Sequence, residues 1–467
     1  MFAARFGRKG HEAGRRWTAL STSFQTRTQS TVGRRSRMSV RQVLTVEPKA
    51  RASGSRTRRK ILIVSHYFWP EEFRVNELAA SLARRGHHVT VATGTPNYPG
   101  HRLFPAYRED RDRFAHFLGK VPVVRFPTLS IGSSKVGLAA NYLSLACSML
   151  LLAPWKLRKE SYDVVFCFQP SPFTIALPAL LLSRLKKAPL ILWVLDCWPE
   201  TLEAIGVVRR PSAIRAVGVA VGAVYRRCSL VLGQSQAFAA SIRHWSGQDN
   251  FRHFPNWIED AFAGACNVPS RAQESEHFRI VFAGNIGEAQ DFPTVLEAID
   301  ALRDEPVRWI IAGAGRRAEW LSQALAARNL THCVEMTGRL PSYEMPALFA
   351  SADALLVSLA RKPIFAMTVP GKVQSYMAAG KPIVGLLDGE GRRLIQSVGC
   401  GLAAPAGDAS ALVKNVRSLV DLPASQRDAM GALGREFASR EFDRERLIDS
   451  LEEWMDETVH RTPRNVA

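Results

Sequence analysis

The run Val369-Pro370-Gly371-Lys372-Val373-Gln374-Ser375-Tyr376 places a lysine where a helix discourages one. Pro370 suits a first helical turn, Gly380 a C-terminal stop, and Pro382 opens the next buried run. Lys372 therefore falls at the positive end of a helix dipole, where a cation is unfavourable unless an anion offsets it. A diphosphate fits that position; a solvated surface lysine is the alternative. Upstream, Phe282-Ala283-Gly284-Asn285-Ile286-Gly287 joins an apolar run to a helical stretch over 292–302. Glycines at such a turn let backbone N–H groups approach a phosphate, although tight α/β turns also use glycine for purely structural reasons. Ala312-Gly313-Ala314-Gly315 is a second, weaker instance.

Four other segments mix aromatic rings with carboxylates and amides: Tyr67-Phe68-Trp69-Pro70-Glu71-Glu72, Pro96-Asn97-Tyr98-Pro99, Gln169-Pro170-Ser171-Pro172 and Asp196-Cys197-Trp198-Pro199-Glu200. Rings stack on sugar C–H faces and polar groups sort hydroxyls, so these loops suit a sugar site; the plainer reading is that they cap a sheet edge.

The elements that must carry these groups follow from periodicity. Continuous apolar runs at 60–65, 89–93, 163–168, 189–194 and 230–233 predict strands buried on both faces, with helical stretches between them. A helix is expected over about 71–85, where Leu78, Leu82 and Arg85 recur at helical spacing before Gly86. A second set of strands is expected at 279–283, 309–312, 333–336, 354–357 and 382–385, with a linker over 255–277. Alternating strands and helices in both halves predict an α/β protein with two parallel-sheet domains, 60–254 and 278–440, whose ligands lie in an inter-domain cleft beyond the carboxyl ends of the strands. A C-terminal helix and tail over 441–467 is expected to pack back towards the first domain.

The chain of 467 residues has a formal charge of +20, but thirteen Arg and three Lys against Glu12 and Glu47 concentrate most of it in the first sixty residues. The body is only mildly basic, so no nucleic-acid partner is expected. Residues 1–59 lack hydrophobic periodicity and read as a disordered basic extension: an irrelevant or mis-started leader, a tether to an anionic lipid or nucleic acid, or a transit peptide. The cysteines at 147, 167, 197, 228, 266, 333 and 400 show no metal-ligand or redox spacing, which predicts a reduced compartment and no zinc site. Residues 136–155 carry no charge. They are open to three readings: a helix buried on the sheet, an interfacial helix in one leaflet, or a span. Lys135, Lys156, Arg158 and Lys159 favour contact with an anionic surface.

Taken together, Tyr-Phe-Trp-Pro-Glu (67–71), Gly-His-His-Val-Thr-Val (86–91), Pro-Asn-Tyr-Pro (96–99), Gln-Pro-Ser-Pro (169–172), Asp-Cys-Trp-Pro-Glu (196–200), Pro-Asn-Trp (255–257), Gly-Asn-Ile-Gly (284–287) and the 370–382 segment resemble family 4 glycosyltransferases of the GT-B fold. The likeness covers about 60–450 and is narrower to the WbuB-like branch associated with O-antigen and capsular polysaccharide assembly. The resemblance implies two facing Rossmann-like domains, a nucleotide diphosphate sugar held mainly by the second, a glycan acceptor held by the first, no cofactor or metal, and retention at the anomeric carbon. It assigns donor binding to Gly284, Asn285, Gly287, Gln290, Gly313, Lys372, Gln374, Ser375 and Tyr376. It assigns the acceptor to Tyr67, Trp69, Glu71, Asn97, Tyr98, Gln169, Ser171, Asp196, Trp198 and Glu200. Catalysis is expected from Lys372, Asn285 and Asp196, with the leaving diphosphate stabilised by backbone N–H groups and a cation.

Departures accompany the likeness. The wider family carries two glutamates with seven residues between them where this chain has Met367 and Ser375. The basic residue usual after the glycine turn is absent, with Glu288 and Gln290 nearby, and the 169–172 loop stands where many members have a histidine. These changes imply a modified donor pocket. The leading expectation is transfer of a sugar to a polyprenyl-diphosphate-linked acceptor, by an enzyme peripheral on the cytoplasmic face of the cell membrane. A sugar-nucleotide epimerase and a non-catalytic membrane-surface scaffold are the alternatives. A dinucleotide oxidoreductase is disfavoured, because no Gly-x-Gly-x-x-Gly follows the first strand.

Overall fold

The computed structural model describes residues 57–98, 102–130, 132, 134–204, 210–259 and 276–461. The expectations for residues 1–56, Pro99, Cys266, linker positions 260–275 and the tail from 462 lie outside these residues.

Strands β1 (Lys60–Ser65), β2 (His88–Gly94), β3 (His116–Phe117), β4 (Val121–Phe126), β5 (Val164–Gln169), β6 (Leu190–Val194), β7 (Leu230–Gly233) and β8 (Phe251–His253) form one sheet in the order β3-β4-β2-β1-β5-β6-β7-β8. All pairs are parallel except β3 with β4. A second, wholly parallel sheet has the order β11-β10-β9-β12-β13-β14. Its strands are β9 (Phe278–Ala283), β10 (Val307–Ala312), β11 (Val334–Gly338), β12 (Ala354–Ser358), β13 (Ile383–Leu386) and β14 (Gly401–Ala404). The chain is thus α/β, with two Rossmann-like sheets. Strand order reverses between β1 and β5 in the first sheet and between β9 and β12 in the second, and crevices open at such points.

Alternation along β1 shows why the runs are apolar throughout. Ile61 and Ile63 join a core beneath helices α1 (Arg74–Arg84) and α6 (Arg444–Arg461), while Leu62 and Val64 join the opposite core. That opposite core is covered by α2 (Lys135–Lys156), α3 (Ala176–Lys186) and α4 (Pro211–Tyr225). Helix α2 lays Leu145, Met149 and Ala153 against the sheet, fully buried. A bilayer-crossing orientation would strip those contacts, so α2 is a sheet-packing helix with one face uncovered. Strands β3, of two residues, β4, β8 and β14 were not expected. Pro122 and Arg125 interrupt β4, β8 has three residues, and Gly401-Leu402-Ala403-Ala404 is small-sided, so neighbouring strands rather than local pattern define them. Trp257, within the expected linker, is fully buried in the first core.

Helix α6 returns from the second domain onto the first, burying Ile448, Leu451 and Met455. Arg85, at the end of α1, bridges Glu445 at 2.7 Å, Asp449 at 2.6 Å and Glu452 at 2.7 Å. His87 Nε2 meets Glu452 at 2.9 Å, while its Nδ1 accepts from the Arg59 amide. Arg85→Ala leaves three carboxylates facing one another with Glu452 buried, and should cost about 2–3 kcal/mol of unfolding free energy. Urea unfolding reads this directly; an unchanged midpoint would mean that α6 is held by its apolar face alone.

Candidate active site at the strand ends

On the first-domain side, the loops after β1, β2, β5 and β6 converge. The Tyr67 ring stacks on Phe73 at 5.0 Å and lies 5.3 Å from the half-exposed Tyr98 ring. Tyr142, from α2, hydrogen bonds to Tyr67 and lies close enough to Asp196 to feel its charge, so it links the first loop to the fourth. Asp196 hydrogen bonds to Ser171, and burial pushes its carboxyl up to about 6 despite that bond. Gln169 is fully buried; its Nε2 donates to the carbonyls of Pro170 and Asp196, and its Oε1 has no partner. Tyr67, Tyr98, Gln169, Ser171 and Asp196 are therefore brought together.

Other expected acceptor residues serve the scaffold. Glu71 accepts the amides of Asn97 and Tyr98 on Oε1, at 2.7 and 2.8 Å, and that of Phe68 on Oε2. It ties the first loop to the second instead of facing a ligand. Burial raises its carboxyl to about 7, opposed by those amides and by Arg125. Trp69 packs its ring against Phe114 and Phe117. The Glu200 Oε1 accepts from Ser241 at 2.5 Å and Trp245 at 3.1 Å, so this side chain turns into its own domain. Trp198 packs against the first core with its Nε1 buried and unpartnered. Asn97 is buried and accepts from Asn141 Nδ2 at 3.3 Å. Asn141 Oδ1 also lies 2.9 Å from His66 Nε2. Sequence reasoning missed His66, Asn141, Tyr142 and Arg125; the two α2 residues were hidden inside a segment read for its apolarity, though Asn141 interrupting that run was the available signal.

On the second-domain side, the turn 284–287 after β9 lies against the turn 313–315 after β10. Gly284, with φ near +137°, presents its Cα to the Lys372 side chain, and an added Cβ would stand 2.6 Å from Lys372 Cε. Lys372 sits in the first turn of α5 (Gly371–Ala379), as expected, but folds inward. Its Nζ lies 3.7 Å from the Phe282 ring centroid, buried and without a hydrogen-bond partner. Burial alone lowers its pKa to about 7. The neighbouring Gln374 amide is likewise buried, with neither Oε1 nor Nε2 partnered. An unpaired cation and an unpaired amide beside a glycine turn form a site suited to an oxyanion.

Six of the expected donor residues, Gly284, Gly287, Gln290, Gly313, Ser375 and Tyr376, make hydrogen bonds within the protein. The amides of Gly284, Ile286 and Gly313 donate to the carbonyls of Ala312, Ala314 and Gly338, and that of Gly287 donates to Gln290 Oε1 at 3.0 Å. These four amides hold the turns together, with Gln290 bracing that of Gly287, so they are not what an anion would meet there, whereas the Lys372 ammonium is unpartnered. Ser375 Oγ donates to the Gly371 carbonyl within its own helix. Tyr376 is buried, its hydroxyl accepting the Ala283 amide at 3.0 Å, and it anchors α5 to the end of β9. Asn285 is exposed, with its side chain beside Gly287 and Gly315. The domains meet nearby: Lys362 Nζ donates to the Ala204 carbonyl at 2.7 Å, and Ile364 is buried in the first core, with Phe365 and Met367 packed against it. Met367 is thus part of an apolar inter-domain contact. Among the described residues, no group of three or more His, Cys, Asp or Glu side chains is placed to hold a metal ion.

Comparison with known proteins bears on both halves. Residues 277–421 match the description "Glycosyl transferases group 1", and residues 72–257 match "Glycosyl transferase 4-like domain". The putative colanic acid biosynthesis glycosyl transferase WcaI of Escherichia coli (strain K12) is 25% identical over 423 residues, covering 83% of this chain and 98% of that one. Among solved structures, sucrose-phosphate synthase from Thermosynechococcus elongatus superposes with a TM-score of 0.64 at 15% identity, over 86% of this chain and 99% of that one. HepE from Anabaena in complex with UDP-glucose superposes with a TM-score of 0.59 at 15% identity, over 86% of this chain and all of that one.

Proposed function

The chain belongs to the family 4 glycosyltransferases of GT-B fold, and from its donor side we propose that it moves a sugar from a nucleoside diphosphate sugar to a lipid-linked glycan, with retention and without a metal. The observation that carries this reading is Lys372: a buried, unpartnered ammonium held against the Gly284 turn, which a diphosphate would satisfy. As the bond from the anomeric carbon to the phosphate oxygen breaks, negative charge grows on that oxygen, and Lys372 is placed to stabilise it. The acceptor oxygen bonds to the same face of the anomeric carbon, and its proton passes to the departing phosphate. Gln374 is placed to hold a second oxyanion oxygen. On the acceptor side, Tyr67, Tyr98 and Tyr142 offer ring faces and hydroxyls, with Asp196 and Gln169 to select sugar hydroxyls. The UDP-glucose bound by HepE supports a nucleotide sugar donor. The colanic acid naming of WcaI supports a place in surface polysaccharide assembly. We propose a polyprenyl diphosphate as the acceptor's lipid and the cytoplasmic face of the cell membrane as the enzyme's location.

Purified full-length chain incubated with a panel of nucleotide sugars and a bacterial lipid extract should release nucleoside diphosphate only when the extract is present. It should also lengthen a lipid-linked product by one sugar whose anomeric configuration, read by NMR, matches the donor. Failure of every donor in the panel to release nucleoside diphosphate, or change of the sugar nucleotide itself without acceptor, would overturn this reading.

A further inference from the structure

We propose that the outer faces of α2, α3 and α4 form one surface that seats on an anionic lipid bilayer. Helix α2 shows solvent an apolar stripe: Val136, Leu143, Leu151 and Trp155 recur at helical spacing, with Leu143 57%, Leu151 77% and Trp155 64% exposed. From Val136 to Trp155 that stripe runs about 28 Å at the rise of an α-helix. The stripe does not stand alone. Helix α2 packs on α3 and α3 on α4, and these add exposed Leu185 and Val219. An apolar face this long on a water-facing layer marks an interaction site.

Charge identifies the occupant. The three helices, of 22, 11 and 15 residues, contain no aspartate or glutamate. Their described ends and flanks carry Lys156, Arg158, Lys159, Arg184, Lys187 and Arg215. Glu160 and Asp163 lie beyond α2, on the connection to β5. A second copy of this chain would bring like-charged rims together, whereas a surface of anionic headgroups is complementary to them. Apolar side chains with Trp at the end of a stripe, rimmed by Lys and Arg, are what an interfacial helix layer presents. Helix α2 also sends Asn141 and Tyr142 from its other side into the acceptor cradle, so lipid and cradle meet opposite sides of one helix. Only the role of that cradle rests on the transferase reading; the surface is carried by exposure and charge.

Flotation of the full chain tests this, with vesicles of phosphatidylglycerol and phosphatidylcholine in equal parts and with phosphatidylcholine alone. Wild type should float with the anionic vesicles, less with the neutral ones, and less as salt is raised. Leu143→Glu combined with Leu151→Glu should reduce the floated fraction about tenfold or more. Because residues 1–56 are identical in both proteins, the difference isolates the helical face. If the glutamate variant loses its cooperative unfolding transition, Leu143→Ser with Leu151→Ser replaces it. The surface is refuted if wild type stays at the bottom with anionic vesicles, or if the variant floats like wild type. A lipid-free dimer that the variant splits would also refute it, by making the face a self-interface. Flotation uses no donor, so a chain that floats yet releases no nucleoside diphosphate sinks the transfer reading and leaves the surface standing.

Discussion

Lys372→Ala should lower kcat/KM for sugar transfer by about 10²–10³-fold, the loss typical of removing one group aimed at developing oxyanion charge. Folding should survive, because the ammonium makes no hydrogen bond in the protein and its removal relieves a buried charge. The pKa sharpens the prediction. Burial lowers the Lys372 pKa from 10.5 to about 7. Between those values the unfolded chain binds the extra proton, so this group makes the free protein more stable as pH rises through the window. A bound diphosphate acts in the opposite sense, since its charge favours the ammonium. Nucleoside diphosphate binding should therefore take up a proton above pH 7 and weaken as pH rises, by up to about tenfold per unit. Calorimetric titrations on both sides of neutrality would show this slope in wild type and its loss in Lys372→Ala. Lys372→Arg should rescue poorly, because the niche between Gly284 and the Phe282 ring is shaped to a slim stem. Equal binding slopes in wild type and the alanine variant would remove Lys372 from the donor site.

Which parts of this arrangement were legible in the sequence has a physical basis. Parallel strands buried on both faces leave continuous apolar runs, so β1, β5, β6, β9 and β12 stand out, and the loops at their carboxyl ends follow. Strand β4 does not stand out, because Pro122 and Arg125 break its run, yet Arg125 turns out to donate to the carbonyls of Gly94 and Trp69 and to brace Glu71. Residue type identified the aromatic and acidic loops but could not say which side chains face the cleft. Glu71 and Glu200 resemble ligand-binding acids in one dimension, but in three Glu71 spends both oxygens on backbone amides and Glu200 spends Oε1 on Ser241 and Trp245. The reverse holds for α2. Its apolarity drew attention to membranes, while its two polar faces of interest, Asn141 and Tyr142, are what complete the cradle. Lys372 was identified by an argument from the helix dipole that holds for its position but not its direction: the side chain turns inward onto Phe282.

Gly313→Ala should be the most damaging single methyl in the donor half, costing about 4 kcal/mol of stability and abolishing nucleotide binding with it. Two effects coincide there. Gly313 has φ near +154°, which an L side chain rarely adopts, and its added Cβ would stand 1.8 Å from the Gly284 carbonyl oxygen. That atom is backbone, in the turn that faces Lys372, so relief requires the two turns to part. Parting them breaks the amide ties from Gly284 to Ala312 and from Ile286 to Ala314. Gly371→Ala supplies the contrast. Its added Cβ meets only Gln374 Oε1 at 3.8 Å, at the start of α5 with no positive φ, so it should be neutral or stabilise by a few tenths of a kcal/mol. Denaturant unfolding of both full-length variants, with nucleoside diphosphate titration of each, separates a general intolerance of glycine replacement from a local one. If Gly313→Ala unfolded at the wild-type midpoint and still bound nucleotide, backbone-on-backbone packing of the two turns could not be what shapes the niche around Lys372.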